Sequence, residues 1–280
     1  MTNFPLNNAQ IDIFIAAAFA EDIGTGDVTA SSVIPAEATL TAAMNARENM
    51  VLAGMPLVAP IFRKLDPNAQ ITVHAQDGSH LAAGDTIAVI SGSARALLSA
   101  ERTALNILQH LSGIATLTQQ YVAAIDGTNT KLLDTRKTIP GLRVLGKYAA
   151  ACGGAHNHRM GLFDAVMIKD NHIAVAGSVT AAVTGALSAG HTKIQVECDT
   201  LGQVSEALKA GATSLLLDNM APETLRQARE IVAGKIPCEA SGGITLDSIR
   251  VIAETGVDYI SVGRLTQSAP AVDIGLDYGS

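Results

Sequence analysis

Tryptophan is absent from this 280-residue chain, and aromatic residues make up only 3% of it. A core assembled from rings is therefore excluded. Ala, Leu, Ile and Val must fill the interior, and at 48% hydrophobic residues there is enough material for one or two folded domains rather than a disordered chain. Cysteine is scarce: Cys152, Cys198 and Cys238 show no C-x-x-C spacing. Neither a disulfide framework nor a zinc knuckle is indicated, and a reducing cytoplasm is the expected location. Positive charge is in deficit, with 19 Lys and Arg against 26 Asp and Glu. A net charge of −7 disfavours a general nucleic-acid surface. Long apolar runs are missing too. Ile11–Ala20 is too short to span a bilayer, no Lys or Arg precedes it, and Glu21-Asp22 follows, so no membrane anchor or leader is expected.

What is present is uneven. Residues 131–172 hold seven Lys and Arg (131, 136, 137, 143, 147, 159, 169) against three Asp (134, 164, 170). A cationic patch on an acidic chain points to a small anionic ligand, with ordinary surface variation as the bland alternative.

The first part reads as a small α+β unit on an antiparallel sheet. Asn8–Ala20 has the pattern of an amphipathic helix closed by Gly24 and Gly26. Thr39–Ala53, Ile71–Ala75 and Thr86–Ser91 are strand-like, with turns at Asp66-Pro67, Asp77-Gly78 and Gly84-Asp85. Ala94–Ile125 is one long helical pattern, with a candidate break at Ser112-Gly113. From residue 131, short apolar runs alternate with helical ones, which implies βα units and a parallel sheet. Six of those runs stop at a charged or glycine-rich group: Thr135-Arg136-Lys137, Lys169–His172, Glu197, Asp218-Asn219, Ser241-Gly242-Gly243 and Gly263. A β/α barrel gathers such strand ends around one mouth.

Each group carries a chemistry and a plainer alternative. Arg136 and Lys137 suit capture of a carboxylate or phosphate, or form a solvated loop. His158 and Arg159 follow Gly153-Gly154-Ala155, where glycine lets backbone approach a ligand; a packed or surface histidine is the alternative. His156 and His158 form an H-x-H pair that would suit a metal, but only His172 adds another histidine at a strand end, so this is disfavoured. Lys169 could form a Schiff base, bind an anion, or pair with Asp170. Glu197 and Asp218 suit magnesium, ribose hydroxyls or a cationic transition state, or cap helices. Ser241, Gly242, Gly243 and Gly263 suit a phosphate nest, or form plain turns.

Taken in order, these motifs are recognisable. Glu21–Thr29, Glu101–Asn106, Leu111–Thr116, Asp134–Thr138 with Pro140–Arg143, Asn157–Arg159, Ile168–His172, Leu217–Met220, Glu239–Ile244 and Asp258–Gly263 resemble the quinolinate phosphoribosyltransferase family along nearly the whole chain. The resemblance implies an N-terminal α/β sandwich of residues 1–112 with 267–280, and an incomplete β/α barrel of residues 113–266. It implies transfer of phosphoribosyl from 5-phosphoribosyl-1-pyrophosphate to quinolinate with loss of CO₂, in NAD biosynthesis, with Mg²⁺ as cofactor. It casts Arg102, Arg136, His158, Arg159 and Lys169 on the quinolinate carboxylates. Lys137, Glu197 and Asp218 are cast on the phosphoribosyl substrate, the two acids also on magnesium, and Ser241, Gly242, Gly243 and Gly263 on its phosphate. Lys137, Lys169, Glu197 and Asp218 are the implied catalytic set. Family members form dimers or hexamers, and Arg102 matches an arginine supplied across the dimer interface. Gln267 and Arg264 depart from the family pattern near the pyrophosphate end. The rivals are a related phosphoribosyltransferase for nicotinate or a molybdenum-related substrate, a Lys169-dependent aldolase, and a binding protein without activity.

Overall fold

Two hydrophobic periods build two kinds of sheet. The structure is a computed structural model and describes residues 3–278. The chain folds as two compact units, one of residues 1–119, 140–153 and 268–280, and a second of residues 120–139 and 154–267.

In chain order the elements begin with helices α1 (Asn8–Asp22) and α2 (Val28–Val33), strands β1 (Thr39–Ala46) and β2 (Met50–Val51), and helix α3 (Met55–Leu65). Strands β3 (Gln70–Val73), β4 (His80–Leu81) and β5 (Thr86–Ser93) lead into helix α4 (Ala94–Ala124). Strand β6 (Lys131–Leu133) and helix α5 (Arg143–Cys152) follow. Then come β7 (Val166–Ile168), α6 (Asp170–Ala176), α7 (Val179–Ser188), β8 (Ile194–Cys198), α8 (Leu201–Ala210), β9 (Ser214–Asp218) and α9 (Pro222–Val232). The chain continues through β10 (Cys238–Ser241), α10 (Leu246–Ala253), β11 (Tyr259–Ser261), α11 (Arg264–Gln267) and β12 (Ile274–Tyr278).

The first unit carries an antiparallel sheet of order β12-β1-β5-β3. In β1, buried Ala42, Met44 and Ala46 alternate with more exposed neighbours, as expected for a sheet with one buried face. Two sequence expectations change here, and one helix was not foreseen. Helix α1 buries only Ile11 and Ile15, so it is apolar around its circumference rather than amphipathic. Helix α3 was not legible: Pro56 is tolerated in its first turn, and Pro60 sits inside it while Leu57, Val58, Ile61 and Phe62 are buried. Helix α4 does not break at Ser112-Gly113. The Ser112 hydroxyl bonds Ala53 instead, and a Cβ on Gly113 would come within 2.1 Å of the Pro270 carbonyl oxygen. The small pair is there for close packing.

The second unit carries a parallel sheet of order β6-β11-β10-β9-β8-β7. Its helices are delimited as local chemistry requires. Thr200 and Gln203 form a reciprocal capping box at the start of α8, and Gly211 ends it at φ +98°. Pro222 opens α9, which buries Leu225, Ala228 and Val232 along one stripe. The sheet stays open among the described residues: β6 and β7 are its edges, and on the side away from β11, β6 meets an isolated parallel bridge from Leu133 to His156. Among the described residues no helix is long and apolar enough to cross a membrane.

Candidate active site

Side chains alternate faces along a strand. In β8, Gln195 and Glu197 alternate with Ile194, Val196 and Cys198. In β9, Leu216 and Asp218 alternate with Leu215 and Leu217; in β10, Glu239 and Ser241 alternate with Cys238 and Ala240. The second set in each strand is wholly apolar or thiol and buried. The first set faces inward, and beyond the C-terminal strand ends it opens into a cavity of about 760 Å³.

Arg136, Lys137, His158, Arg159, Lys169, Glu197, Asp218, Ser241, Gly242, Gly243 and Gly263 all line that cavity, as do Arg264 and Gln267. Arg102 does not. It is exposed on α4, in the other unit.

The cationic side is under-compensated. Arg159 donates to the Ala165 carbonyl at 3.1 Å and to the Met167 sulfur at 3.5 Å. Burial and the nearby Arg136 guanidinium hold its pKa below the usual arginine value. The Arg136 Nε is buried and has no hydrogen-bond partner among the described residues. Two guanidiniums that repel each other, one with a buried unpaired donor, call for an anion.

His158 lines the same cavity and its ring is held by the chain. Its Nδ1 accepts the Arg159 backbone N–H at 2.6 Å, and its Nε2 meets the Glu239 carboxylate at 3.1 Å. Both ring nitrogens are engaged by the chain, so the ring links Arg159 to Glu239.

In the same cavity Lys169 is ion-paired with Glu197. Asp218 has its pKa raised by burial and then by the charge of Glu197. Asn219 sits at φ +52° and donates to Asp218 at 2.6 Å. A Cβ on Gly242, itself at φ +98°, would lie 2.2 Å from the Asn219 side-chain oxygen, so only glycine fits this turn. Gly263 leaves room for Lys137, whose Cδ would be 2.6 Å from an added Cβ. Backbone N–H groups and a lysine are thus available together for a phosphate. His172 is not a ligand in waiting: its Nδ1 accepts the Lys169 backbone N–H and caps α6. Among the described residues no group of three or more His, Cys, Asp or Glu is placed to hold a metal ion.

Sequence reasoning gave no role to Glu239, Thr135 or Asn219, which also line the cavity. Glu239 could have been found: it is an acid between Cys238 and Ala240, inside a strand whose other neighbours are apolar or small.

Paired guanidiniums, paired acids and a glycine turn in one cavity at the ends of parallel strands define a group-transfer site for two anionic substrates. The comparisons agree in kind and go further. Residues 27–112 match the N-terminal domain, and residues 114–277 the C-terminal domain, of quinolinate phosphoribosyl transferase. A probable nicotinate-nucleotide pyrophosphorylase [carboxylating] of Bacillus subtilis is 45% identical over 274 residues, covering 97% of this chain and 94% of its own. The nicotinate-nucleotide pyrophosphorylase [carboxylating] of Mycobacterium leprae is 40% identical over 270 residues, covering 94% and 95%. The solved structure of the Francisella tularensis nicotinate-nucleotide pyrophosphorylase superposes with a TM-score of 0.93 at 42% identity, covering 99% and 98%. The chain belongs to the quinolinate phosphoribosyltransferase family, and its mixed α/β architecture is that family's.

Proposed function

We propose that this protein transfers phosphoribosyl from 5-phosphoribosyl-1-pyrophosphate to quinolinate and releases CO₂, pyrophosphate and nicotinate mononucleotide. The observation that carries this is the Arg136/Arg159 pair, with its buried unpaired Nε, facing the same cavity as Glu197 and Asp218. Two adjacent guanidiniums suit a dicarboxylate better than a monocarboxylate, which sets nicotinate aside.

In this reading Arg136, Arg159 and Lys169 hold the two carboxylates, with His158 supporting Arg159. Ser241, Gly242, Gly243, Gly263 and Lys137 hold the phosphoribosyl phosphate. The pyridine nitrogen forms a bond to ribose C1 as the C1–pyrophosphate bond breaks. Positive charge grows on the ribose, and the Glu197 and Asp218 carboxylates stabilise it. Holding two polyanions side by side supplies the proximity term. With the nitrogen quaternary, the C2–carboxylate bond breaks, the electron pair stays on C2, and a proton replaces CO₂.

Magnesium fits Glu197 and Asp218: burial and then the Glu197 charge raise the Asp218 pKa, and a cation beside the two acids would relieve both. Two protein carboxylates plus substrate phosphates and water are a usual Mg²⁺ set, and the ion would neutralise the leaving pyrophosphate. Arg102 completes the quinolinate site from a second copy of the chain. An aldolase is disfavoured because Lys169 is engaged by Glu197 instead of lying in an apolar pocket.

The test is release of labelled CO₂ from carboxyl-labelled quinolinate. Release that requires 5-phosphoribosyl-1-pyrophosphate and Mg²⁺ is expected. No release from folded protein would reject quinolinate as the substrate.

A further inference from the structure

Glu239 is the least explained charged group in the site. It is 3% exposed and sits in the middle of the parallel sheet, paired in register with Leu216 of β9 and Tyr259 of β11. One oxygen, Oε2, accepts from Gln195 at 2.7 Å and partners His158 at 3.1 Å. The other, Oε1, is buried without a partner among the described residues. Burying a carboxylate costs several kcal/mol, and stability alone would be served by an apolar side chain there. Incomplete polar satisfaction of this kind is expected where function requires it.

The place is informative. Strands β6 and β7 do not pair, and the segment His156–Arg159 fills the seam beside β6. His156 continues the ladder, donating to the Leu132 carbonyl at 2.8 Å and accepting from the Asp134 N–H at 3.2 Å. The buried Asp134 carboxylate then accepts the Asn157 amide at 2.7 Å and the His158 N–H at 2.8 Å. Beyond that point side chains take over from the ladder. The His158 ring receives the Arg159 N–H on Nδ1, so its proton resides on Nε2, and that proton points to Glu239. Gln195, one strand beyond β9, ties the same carboxylate to β8. His158, Arg159 and Glu239 also line both the main cavity and a second one of about 730 Å³ at the other ends of the strands. This layer braces the ring from below.

We propose that Glu239 is a positioning residue: by accepting the Nε2–H of His158 it orients Arg159 toward the aromatic dicarboxylate without touching the substrate. The proposal rests on the functional reading above. It assigns Glu239 to quinolinate recognition and not to the phosphoribosyl side.

Two measurements test it. The first compares Glu239→Ala with Glu239→Gln in steady state. Alanine should raise the KM for quinolinate about tenfold or more while the KM for 5-phosphoribosyl-1-pyrophosphate moves by less than about twofold. Glutamine should restore the quinolinate KM to within about threefold of the wild type, because its amide oxygen can accept the same two hydrogen bonds. An unmoved quinolinate KM in the alanine variant, an equal rise in both KM values, or a glutamine variant as impaired as alanine would each overturn it. The second measurement needs no variant at Glu239. Nitrogen-15 NMR of ring-labelled histidine in the intact protein should show His158 as the neutral Nε2–H tautomer, with His158→Gln identifying the signal. An Nδ1–H tautomer or an imidazolium at neutral pH refutes the geometry even if Glu239 variants fail to fold. If the wild type itself releases no CO₂, the functional reading has failed and takes the dicarboxylate with it. An active wild type with an indifferent Glu239→Ala rejects the positioning role alone.

Discussion

The two faces of the parallel sheet are one residue apart in sequence and opposite in character. Strand β9 puts Leu215 and Leu217, both fully buried, on one face, and Asp218 at the end of the other. Strand β8 does the same with Val196 and Glu197. The outward residues contribute burial, at roughly 1.5–3 kcal/mol per large aliphatic side chain. The inward ones include Glu197 and Asp218, which the proposed reading assigns to the substrates, and the burial of Asp218 opposes folding. A period of two therefore keeps stability and chemistry apart without separating them in the chain.

That contrast can be broken from either side. The largest effect is expected from Glu197→Gln, which should lower kcat by about 10²–10³, or roughly 3–4 kcal/mol of transition-state stabilisation. Its melting temperature should change little, because relief of the repulsion on Asp218 offsets the lost ion pair with Lys169; calorimetry beside the CO₂ assay checks both halves. Leu217→Ala, on the outward face of the neighbouring strand, should do the reverse. Urea unfolding should show a loss of about 2–5 kcal/mol, with turnover per folded molecule unchanged.

Asp218→Asn sharpens the comparison with the smallest signal. Burial and Glu197 raise the folded-state pKa of Asp218 above its unfolded value, so the native state binds more protons between the two. Stability is therefore lost as pH rises through that window, and the deficit persists at neutral pH. Removing the acid should raise the melting temperature at pH 7, and the gain should vanish below the unfolded pKa of about 3.9, while activity is lost at both. A variant that melts lower at pH 7 would show that Asp218 supports the fold instead.

The strand ends were legible because apolar runs stop abruptly at Arg136, Lys169, Glu197 and Asp218, and a parallel sheet brings such stops to one edge. Glycine requirements were legible only as a motif: that Gly242 must exclude a Cβ follows from Asn219, which reaches over from the preceding strand end. Two things were hidden. The Ser112-Gly113 pair has the composition of a helix break, and only the segment around Pro270 shows why small residues are needed there. That Glu239 is an acid inside an apolar strand was readable, but its partners His158 and Gln195, 81 and 44 residues away, were not. Long-range hydrogen bonds leave no periodicity to read.

The pairing of β12 with β1 sets an order of events during synthesis. Asn45 and Asp277, joined across that pair by a 2.8 Å hydrogen bond, are 232 residues apart. At about 5–20 residues per second, the ribosome takes roughly 10–50 s to travel between them. Until then β1 has β5 on one side and an unpaired edge on the other, an exposed template for the wrong partner. The parallel sheet ends at β11 and has all its strands earlier, so the half that houses the chemistry can assemble while the half that emerged first still waits for its last strand.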